Sequence, residues 1–218
     1  MKLLYMNISV FEDENLFKKG MSLISVKRKK QIDKLNNPVS ARLSLGAGVL
    51  LHIAMKEEGY LNFYDQIKYG AHGKPYLEDV PFYFNLSHSG EYVICAYDDK
   101  PMGADIQLKK NKIPSRLNKI LSEQEMQQYS ILTEKEQKEF FYKIWTRKES
   151  LIKCDGRGLR IPLYEISVIE DAICFEGKII YNKDLNILQP QYSISLSSEK
   201  EIIIEEIREI TSNFLTKY

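Results

Sequence analysis

A short strand-like run, GADIQ at 103–107, carries two oxygen donors at a spacing that suits a metal ion. Side chains two apart in a strand point the same way, so Asp105 and Gln107 would lie side by side. Oxygen atoms are the ligands that Mg²⁺ takes in proteins, usually together with water and the phosphates of a substrate. The run therefore indicates a magnesium site, although a strand-end aspartate in a turn gives the same pattern.

A second run, WTRKESLIK at 145–153, places an acid beside a base. Glu149 and Lys153 are four residues apart and share one face of the predicted helix. A solvated ion pair is the commoner arrangement for two such residues. Trp145 and Ile152 adjoin the pair, however, and apolar neighbours draw this helix face towards the interior. The run therefore favours a site in which an acid and a base act together.

The run NLSHSG at 85–90 places hydroxyl groups and a histidine at a turn between two strand-like segments. Strand alternation points Ser87 and His88 in opposite directions, which is a poor arrangement for a nucleophile and its base. The nucleophile-elbow pattern GxSxG is also absent from the sequence. Such a turn suits phosphate binding better than acyl transfer. A structural histidine that caps the turn is the alternative interpretation.

Four cationic side chains in the N-terminal half could serve a ligand with several phosphates. They are Lys27, Lys30, Arg42 and Lys74. Lys74 lies in the run GKP at 73–75, which is not a phosphate-binding loop of the form GxxxxGK[ST]. The run KRKK at 27–30, taken alone, is more typical of a solvated helix face.

Composition sets limits on the class of protein. The chain has 218 residues, 44% apolar and 28% charged, with a net charge of +1, which is typical of a soluble globular protein. Near-neutral charge and the absence of interleaved basic and aromatic residues argue against a nucleic-acid-binding module. Met1–Val10 lacks the pattern of a signal peptide, and the apolar stretch Leu43–Met55 is shorter than the roughly 20 residues of a membrane span. We therefore expect a cytoplasmic protein with neither nucleic acid nor membrane as a partner.

Helix followed by sheet occurs twice along the chain, which predicts an α+β fold of two similar halves related by a pseudo-two-fold axis. Laying 84–97 on 192–205, an offset of 108 residues, pairs four identical residues. We expect each half, 1–103 and 104–218, to pack a small, mainly antiparallel sheet with a long helix, and the active site to lie at their interface. Helical patterns cover 22–35, 38–58, 108–131 and 133–154, and strand patterns cover 3–10, 82–87, 91–97, 103–107, 164–169, 172–181, 192–197 and 201–207.

In this order, the runs GKPYL, FNLSHSG, GADIQ and WTRKESLIKCDGRGL resemble the motifs of the Sfp-type (surfactin-type) 4′-phosphopantetheinyl transferases over essentially the whole chain. The resemblance implies an enzyme that moves phosphopantetheine from coenzyme A to a serine hydroxyl of an acyl or peptidyl carrier protein. Such carriers serve fatty acid, polyketide or nonribosomal peptide synthesis. The by-product is adenosine 3′,5′-bisphosphate, and a chain with two fused halves is expected to act as a monomer.

The resemblance also implies roles for the acidic and basic residues. Asp105 and Glu149 would hold Mg²⁺, or Mn²⁺, on the pyrophosphate of coenzyme A. Glu149, or a water on the metal, would take the proton of the incoming serine, and Lys153 would balance charge on the pyrophosphate or protonate the leaving oxygen. Gln107 stands where many relatives have glutamate, so it ranks below the two carboxylates as a metal ligand. This departure leaves open a catalytically weakened homologue that binds coenzyme A.

The remaining candidate residues are assigned to coenzyme A and to the carrier protein. The resemblance assigns Lys27, Lys30 and Arg42 to the 3′-phosphate, Lys74 and Pro75 to the adenine, and Ser87 and His88 to phosphate, with His88 also a candidate catalytic residue. Carrier proteins of this kind are typically acidic, so a positive cluster would speed their encounter with the enzyme. The cluster predicted to dock them follows the metal strand and comprises Lys109, Lys110, Lys112, Arg116 and Lys119.

Overall fold

The computed structural model describes residues 1–158 and 161–217. The chain forms two compact units. The first unit consists of 1–69, 75–99 and the segment from Ile204 onwards, and the second consists of 70–74 and 100–203. The predicted boundary after residue 103 is therefore close to the crossing at 99–100. Assigning the whole C-terminal region to the second half was wrong, because the last strand pairs with the first strand of the chain.

Ten strands and six α-helices make up the described chain. The strands are β1 (Lys2–Asn7), β2 (Lys68–Tyr69), β3 (Pro75–Tyr76), β4 (Tyr83–Ser89), β5 (Tyr92–Asp98), β6 (Met102–Leu108), β7 (Ala172–Phe175), β8 (Lys178–Asp184), β9 (Tyr192–Ser198) and β10 (Glu206–Glu209). The helices are α1 (Glu14–Leu23), α2 (Val26–Ile32), α3 (Pro38–Glu57), α4 (Glu123–Ser130), α5 (Glu134–Asp155) and α6 (Ser212–Lys217).

The first unit is built on a four-stranded sheet in the order β10-β1-β5-β4. The pairs β1–β5 and β5–β4 are antiparallel, whereas β10 joins β1 in parallel. Helix α3 packs across β1, β5 and β4, and its buried side chains form the core together with those of the strands. The predicted start of α3 is confirmed, because the side chain of Asn37 caps the helix at Val39 and Ser40 and proline occupies its first position.

Helix α3 is long and apolar enough to cross a membrane by length and composition alone. Its side chains from Leu45 to Leu51 are buried inside the unit. The core helix of a globular domain passes the same test, because a helix that is surrounded by other elements carries apolar residues on most of its faces. The packing of α3 on the sheet therefore accounts for its composition.

The second unit is built on an antiparallel sheet in the order β6-β9-β8-β7. Helix α5 packs across β6, β9 and β8. Its predicted limits are confirmed, since Thr133 and Glu136 form a reciprocal capping box at its start. Gly156 ends the helix with a left-handed backbone, φ 89°. Each unit thus packs a small sheet with one long helix, as the α+β prediction requires.

Several predicted elements differ in extent. The helix expected at 22–35 is divided between α1 and α2 by extended backbone at Ile24 and Ser25. The stretch 108–131 contains α4 and one 3-10 turn at Leu117–Lys119. The strand expected at 164–169 is replaced by a 3-10 turn at Leu163–Glu165.

The proposed internal duplication is not confirmed. Residues 84–97 form the hairpin β4–β5, whereas the segment aligned with them, 192–205, holds the single strand β9 followed by residues outside any strand. The run GADIQ also lies outside the sheet of that hairpin, because β6 pairs with β9. Alternating Ser and apolar residues recur in any half-buried strand, which explains the identities without a repeat.

Candidate functional site

The close approach of β6 to α5 creates the candidate site of the second unit. A Cβ atom at Gly103 would lie 2.0 Å from the backbone oxygen of Ser150 and 2.4 Å from the backbone nitrogen of Cys154. Only a residue without a side chain allows this contact. Asp105 is two positions further along the strand, so its side chain leaves the same face of β6 and meets the helix.

Asp105 is almost completely buried, with 2% of its surface exposed, and hydrogen-bond donors contact both of its carboxylate oxygens. The ammonium group of Lys153 lies 2.6 Å from Oδ1 and donates a second hydrogen bond to the backbone oxygen of Ala104 at 3.1 Å. The side-chain nitrogen of Gln107 lies 3.0 Å from Oδ2. The strand carboxylate is therefore held from the helix on one side and from its own strand on the other.

Glu149 completes the acidic part of the site. Burial raises the pKa of its carboxyl group, the negative charge of Asp105 raises it further, and Lys153 lowers it. The two carboxylates are thus close enough to repel each other, although they come from β6 and α5. Two neighbouring carboxylates in a partly buried place favour a cation between them.

The residues present fit a hard divalent cation. Asp105 and Glu149 offer carboxylate oxygens, which Mg²⁺ prefers, and Mg²⁺ commonly takes one or two carboxylates with water and substrate phosphates. Among the described residues no group of three His, Cys, Asp or Glu side chains could hold a metal unaided. Gln107 points the amino end of its amide at Asp105, so acting as an oxygen ligand would require a half-turn of that amide.

Lys74 belongs to the second unit and contacts backbone oxygens of that unit. Its ammonium group donates to the carbonyl of Cys154 at 2.9 Å and lies 3.4 Å from that of Met102. Burial lowers the pKa of this lysine. The contacts tie the 70–74 turn to the last turn of α5, where a cation also complements the helix dipole. The neighbouring Pro75 begins β3.

Ser87 and His88 lie on β4 in the first unit. Ser87 is buried opposite Ile94, and His88 is exposed opposite Val93. The predicted alternation of their side chains is therefore confirmed. This arrangement separates the hydroxyl group from the imidazole, as expected for residues that do not act as a nucleophile and its base.

The three basic residues assigned to the 3′-phosphate lie on two helices of the first unit. Lys27 and Lys30 lie on α2, and the ammonium group of Lys27 sits 3.7 Å above the ring centre of Tyr69. Arg42 lies in the second turn of α3 and pairs with Glu12 at 2.5 Å. Lys27 and Lys30 are exposed, so a soluble anion can reach both of them.

A buried ion pair beside Glu149 was missed in the sequence. Lys148 and Glu125 are both 0% exposed and lie 2.5 Å apart. Lys148 also donates to the backbone oxygens of Ile120 and Leu163, each at 2.7 Å. Burial lowers the pKa of Lys148, and Glu125 opposes this effect. The pattern of a capping box at 122–125 is readable in the sequence, but it does not reveal that Glu125 reaches α5.

A second buried network fixes α5 on the other strands of its sheet. Arg147, 2% exposed, donates from Nε to both carboxylate oxygens of Asp184 at 3.1 Å and from Nη2 to Asp171 at 2.5 Å.

A row of hydroxyl groups also joins α5 to β9. Thr146 is hydrogen-bonded to Ser195 at 2.9 Å, and Ser150 is hydrogen-bonded to Ser197 at 2.6 Å. These bonds fix the rotation of α5, and with it the direction in which Glu149 and Lys153 point.

Comparison with known proteins identifies the family. Residues 101–202 match the model of the 4′-phosphopantetheinyl transferase superfamily. The 4′-phosphopantetheinyl transferase Sfp of Bacillus subtilis (strain 168) is 33% identical over 168 residues, which are 76% of this chain and 74% of the relative. The chain belongs to the Sfp-type 4′-phosphopantetheinyl transferases. This transferase is also similar to two further proteins named 4′-phosphopantetheinyl transferase.

The 4′-phosphopantetheinyl transferase ffp of Bacillus subtilis is 36% identical over 154 residues, 68% of this transferase and 67% of the relative. The 4′-phosphopantetheinyl transferase psf-1 of Bacillus pumilus is 26% identical over 100% of this transferase and 98% of the relative. The superfamily match covers β6 and α5, the two elements that carry Asp105, Glu149 and Lys153. Leu159, the last residue of the WTRKESLIKCDGRGL motif, lies outside the described residues.

Proposed function

We propose that this transferase moves 4′-phosphopantetheine from coenzyme A to a serine hydroxyl of an acyl or peptidyl carrier protein, with Mg²⁺ or Mn²⁺ bound. The serine oxygen forms a bond to the phosphorus that bears pantetheine, and the bond from that phosphorus to the bridging oxygen breaks. Adenosine 3′,5′-bisphosphate leaves. The observation that carries the proposal is the cluster of Asp105, Glu149 and Lys153 on β6 and α5.

The cluster suits a reaction in which charge moves between phosphate oxygens. Phosphoryl transfer needs positioning and neutralisation of charge more than it needs a protein nucleophile. A bound cation would supply neutralisation of the pyrophosphate, and Asp105 and Glu149 would hold it. No covalent intermediate with the protein is required.

Glu149 is the proposed proton acceptor for the incoming serine. Glu149 is partly buried beside Asp105 and Lys153, and a positioned carboxylate can act as a general base for a hydroxyl group. Lys153 would donate to the leaving oxygen or balance its charge, since the ammonium group already lies at this site. Glu149 would therefore accept the proton of the serine, and Lys153 would donate a proton to the leaving oxygen or share one with it.

We further propose that the first unit and the 70–74 turn contact the nucleotide part of coenzyme A. The exposure of Lys27 and Lys30 supports a role in binding an anion. His88 is also exposed and can donate to a phosphate oxygen. The proposed contacts are Lys27, Lys30 and Arg42 with the 3′-phosphate, Lys74 and Pro75 with the adenine, and Ser87 and His88 with phosphate.

The carrier protein is proposed to dock on the segment after β6. Lys110, Lys112, Arg116 and Lys119 are exposed there, whereas Lys109 pairs with Glu139 on α5. An exposed positive cluster raises the rate of encounter with an acidic partner. We expect the protein to do this in the cytoplasm as a monomer.

A second candidate function is a weakened homologue that binds coenzyme A with little transfer. It is favoured by Gln107, which directs an amino group and no negative charge towards Asp105. The intact mass of a carrier protein incubated with the enzyme, coenzyme A and Mg²⁺ separates the two. Transfer adds the mass of one phosphopantetheinyl group, and a carrier whose acceptor serine is replaced by alanine stays unmodified. An unchanged mass of several native carriers, with coenzyme A bound to the protein, would favour the weakened homologue.

A further inference from the structure

We infer that Lys153 and a divalent cation compete for the carboxylate of Asp105, so that Lys153 becomes available to the phosphates of a ligand only after the cation has bound. The inference rests on the proposed function, because it concerns the cation that the transfer would use. It adds an order of events at the site and gives Lys153 a role before the reaction begins.

The first argument is the position of the ammonium group. Lys153 reaches from α5 to β6 and lies 2.6 Å from Oδ1 of Asp105. A Mg²⁺ ligand distance is about 2.1 Å, so an ion on the same oxygen would lie within about 4.7 Å of this ammonium group. Two positive charges at that separation repel strongly, and the burial of Asp105 reduces the screening by water.

The second argument is the occupation of the other carboxylate oxygen. Gln107 donates to Oδ2 of Asp105 at 3.0 Å. Both oxygens therefore already accept a hydrogen bond from the protein, and a cation has to share an oxygen with one of these donors or replace it. The hydrogen bond from Gln107 is between an amide and a carboxylate, while the bond from Lys153 also carries the charge that repels a cation. Lys153 is therefore the stronger of the two competitors.

The third argument is the exposure of Lys153. Its side chain is 27% exposed, compared with 2% for that of Asp105. A lysine side chain has four rotatable bonds and can leave a carboxylate while its apolar stem stays packed. Release of the ammonium group therefore does not require α5 to move, and the released group stays close to the cation and to any phosphate bound to it.

Direct measurement of metal binding tests the competition without measuring transfer. Isothermal titration of the full chain with Mn²⁺, in the absence of coenzyme A, gives the dissociation constant for the wild type and for Lys153→Met. We expect the variant to bind Mn²⁺ about tenfold more tightly, since a charge-assisted hydrogen bond is of the size that changes a binding constant by this factor. Lys153→Gln, a second neutral variant, is expected to behave in the same way.

Two control variants separate competition from the general effect of charge. Lys143→Met removes the same charge from the same helix, at a lysine that pairs with Asp184 at 3.6 Å, and its affinity for Mn²⁺ should stay within about twofold of the wild type. Lys153→Arg keeps the charge and the ability to pair with Asp105, and it should bind Mn²⁺ no more tightly than the wild type. Thermal unfolding of each variant verifies that it is folded.

The inference is overturned if folded Lys153→Met and Lys153→Gln bind Mn²⁺ no more tightly than the wild type, including the case in which none of the proteins binds it. It is also overturned if Lys143→Met gains as much affinity as Lys153→Met. Failure of the proposed function looks different, because a carrier protein would then keep its mass while the Mn²⁺ affinities still changed as described.

Discussion

Gly103 lies so close to α5 that a Cβ atom at its position would come within 2.0 Å of the backbone oxygen of Ser150. The contact joins the strand that carries Asp105 to the helix that carries Glu149 and Lys153. An atom of the helix backbone cannot move aside as the end of a side chain can. The geometry of the site therefore depends on the absence of one methyl group.

Replacing Gly103 with alanine should separate β6 from α5 and weaken both the fold and the transfer. We expect a loss of about 2–4 kcal/mol in the free energy of unfolding, because overpacking against a rigid backbone is costly. Urea denaturation measures this loss. Gly70→Ala is the control, since its Cβ would meet the backbone oxygen of Lys74 at an ordinary 3.7 Å. Equal stabilities of the two variants would show that the close approach is not required.

Removing the charge of Glu149 should stabilise the protein in the absence of metal. Burial and Asp105 raise the pKa of Glu149 above its value in the unfolded chain. The stability that this group contributes is therefore present below the unfolded pKa and is lost as pH rises through the folded pKa. At neutral pH the ionised carboxylate costs free energy, which Glu149→Gln should recover in an amount of about 0.5–2 kcal/mol.

The same pKa shift predicts that this gain depends on pH. Below about pH 4, where glutamate is protonated in both the folded and the unfolded state, Glu149→Gln should have little effect. Urea denaturation at neutral and acidic pH in the presence of EDTA measures both values. Glu139→Gln, at an exposed carboxylate on the same helix that pairs with Lys109, should show no gain at either pH. A gain for Glu149→Gln of the same size at both pH values would contradict the electrostatic cause.

A carboxylate at position 107 should strengthen metal binding. Gln107 donates to Asp105 at 3.0 Å, so Gln107→Glu places an additional negative charge next to the proposed cation. We expect a severalfold lower Mg²⁺ concentration for half-maximal transfer, measured by titrating Mg²⁺ at saturating coenzyme A. An unchanged or higher requirement would mean that the side chain of residue 107 does not act on the metal.

Reversing charge in the docking cluster should slow modification of an acidic carrier. The double variant Lys112→Glu, Lys119→Glu changes two exposed lysines, and its rate should fall about tenfold at low salt and approach that of the wild type at high salt. Coenzyme A affinity, measured by calorimetry, should stay the same. Lys18→Glu, Lys200→Glu makes the same change in net charge at two other exposed sites. An equal effect of both double variants would argue against a local docking surface.

The buried pair next to Glu149 should be essential for stability. Lys148→Met leaves the carboxylate of Glu125 without its cation inside the protein, and removal of one member of a buried pair typically costs about 3–5 kcal/mol. Lys143→Met, at a half-exposed position of the same helix, should change stability by less than about 0.5 kcal/mol. Urea denaturation compares the two variants. Similar stabilities would mean that the Lys148–Glu125 pair contributes little.

Local signals in the sequence were sufficient for the two long helices and for the hairpin β4–β5. Asn37 and Pro38 begin α3, and Thr133 and Glu136 begin α5, because these side chains satisfy backbone groups within a few residues. The prediction that the chain belongs to the Sfp-type family was likewise readable from short motifs and is confirmed by the relatives.

Contacts between distant segments were not readable in the same way. Residue spacing shows that Glu149 and Lys153 share a helix face, but it does not show that Lys153 reaches Asp105 on β6. Lysine is usually a surface residue. Lys148 is buried because its charge is balanced by Glu125, 23 positions earlier in the chain. The return of the chain to pair with β1 depends on parallel pairing over about 200 residues, for which no local pattern exists.

The most direct test of whether the transfer requires Asp105 and Glu149 is the intact mass of a carrier protein. An acyl or peptidyl carrier protein is incubated with the enzyme, coenzyme A and Mg²⁺ and is then weighed by mass spectrometry. The wild type should add one phosphopantetheinyl group to the carrier, while Asp105→Asn and Glu149→Gln, verified as folded, should do so about 100-fold more slowly. Modification by both variants at the wild-type rate, or a carrier that the wild type leaves unchanged while the Sfp enzyme of Bacillus subtilis modifies it, would contradict the account.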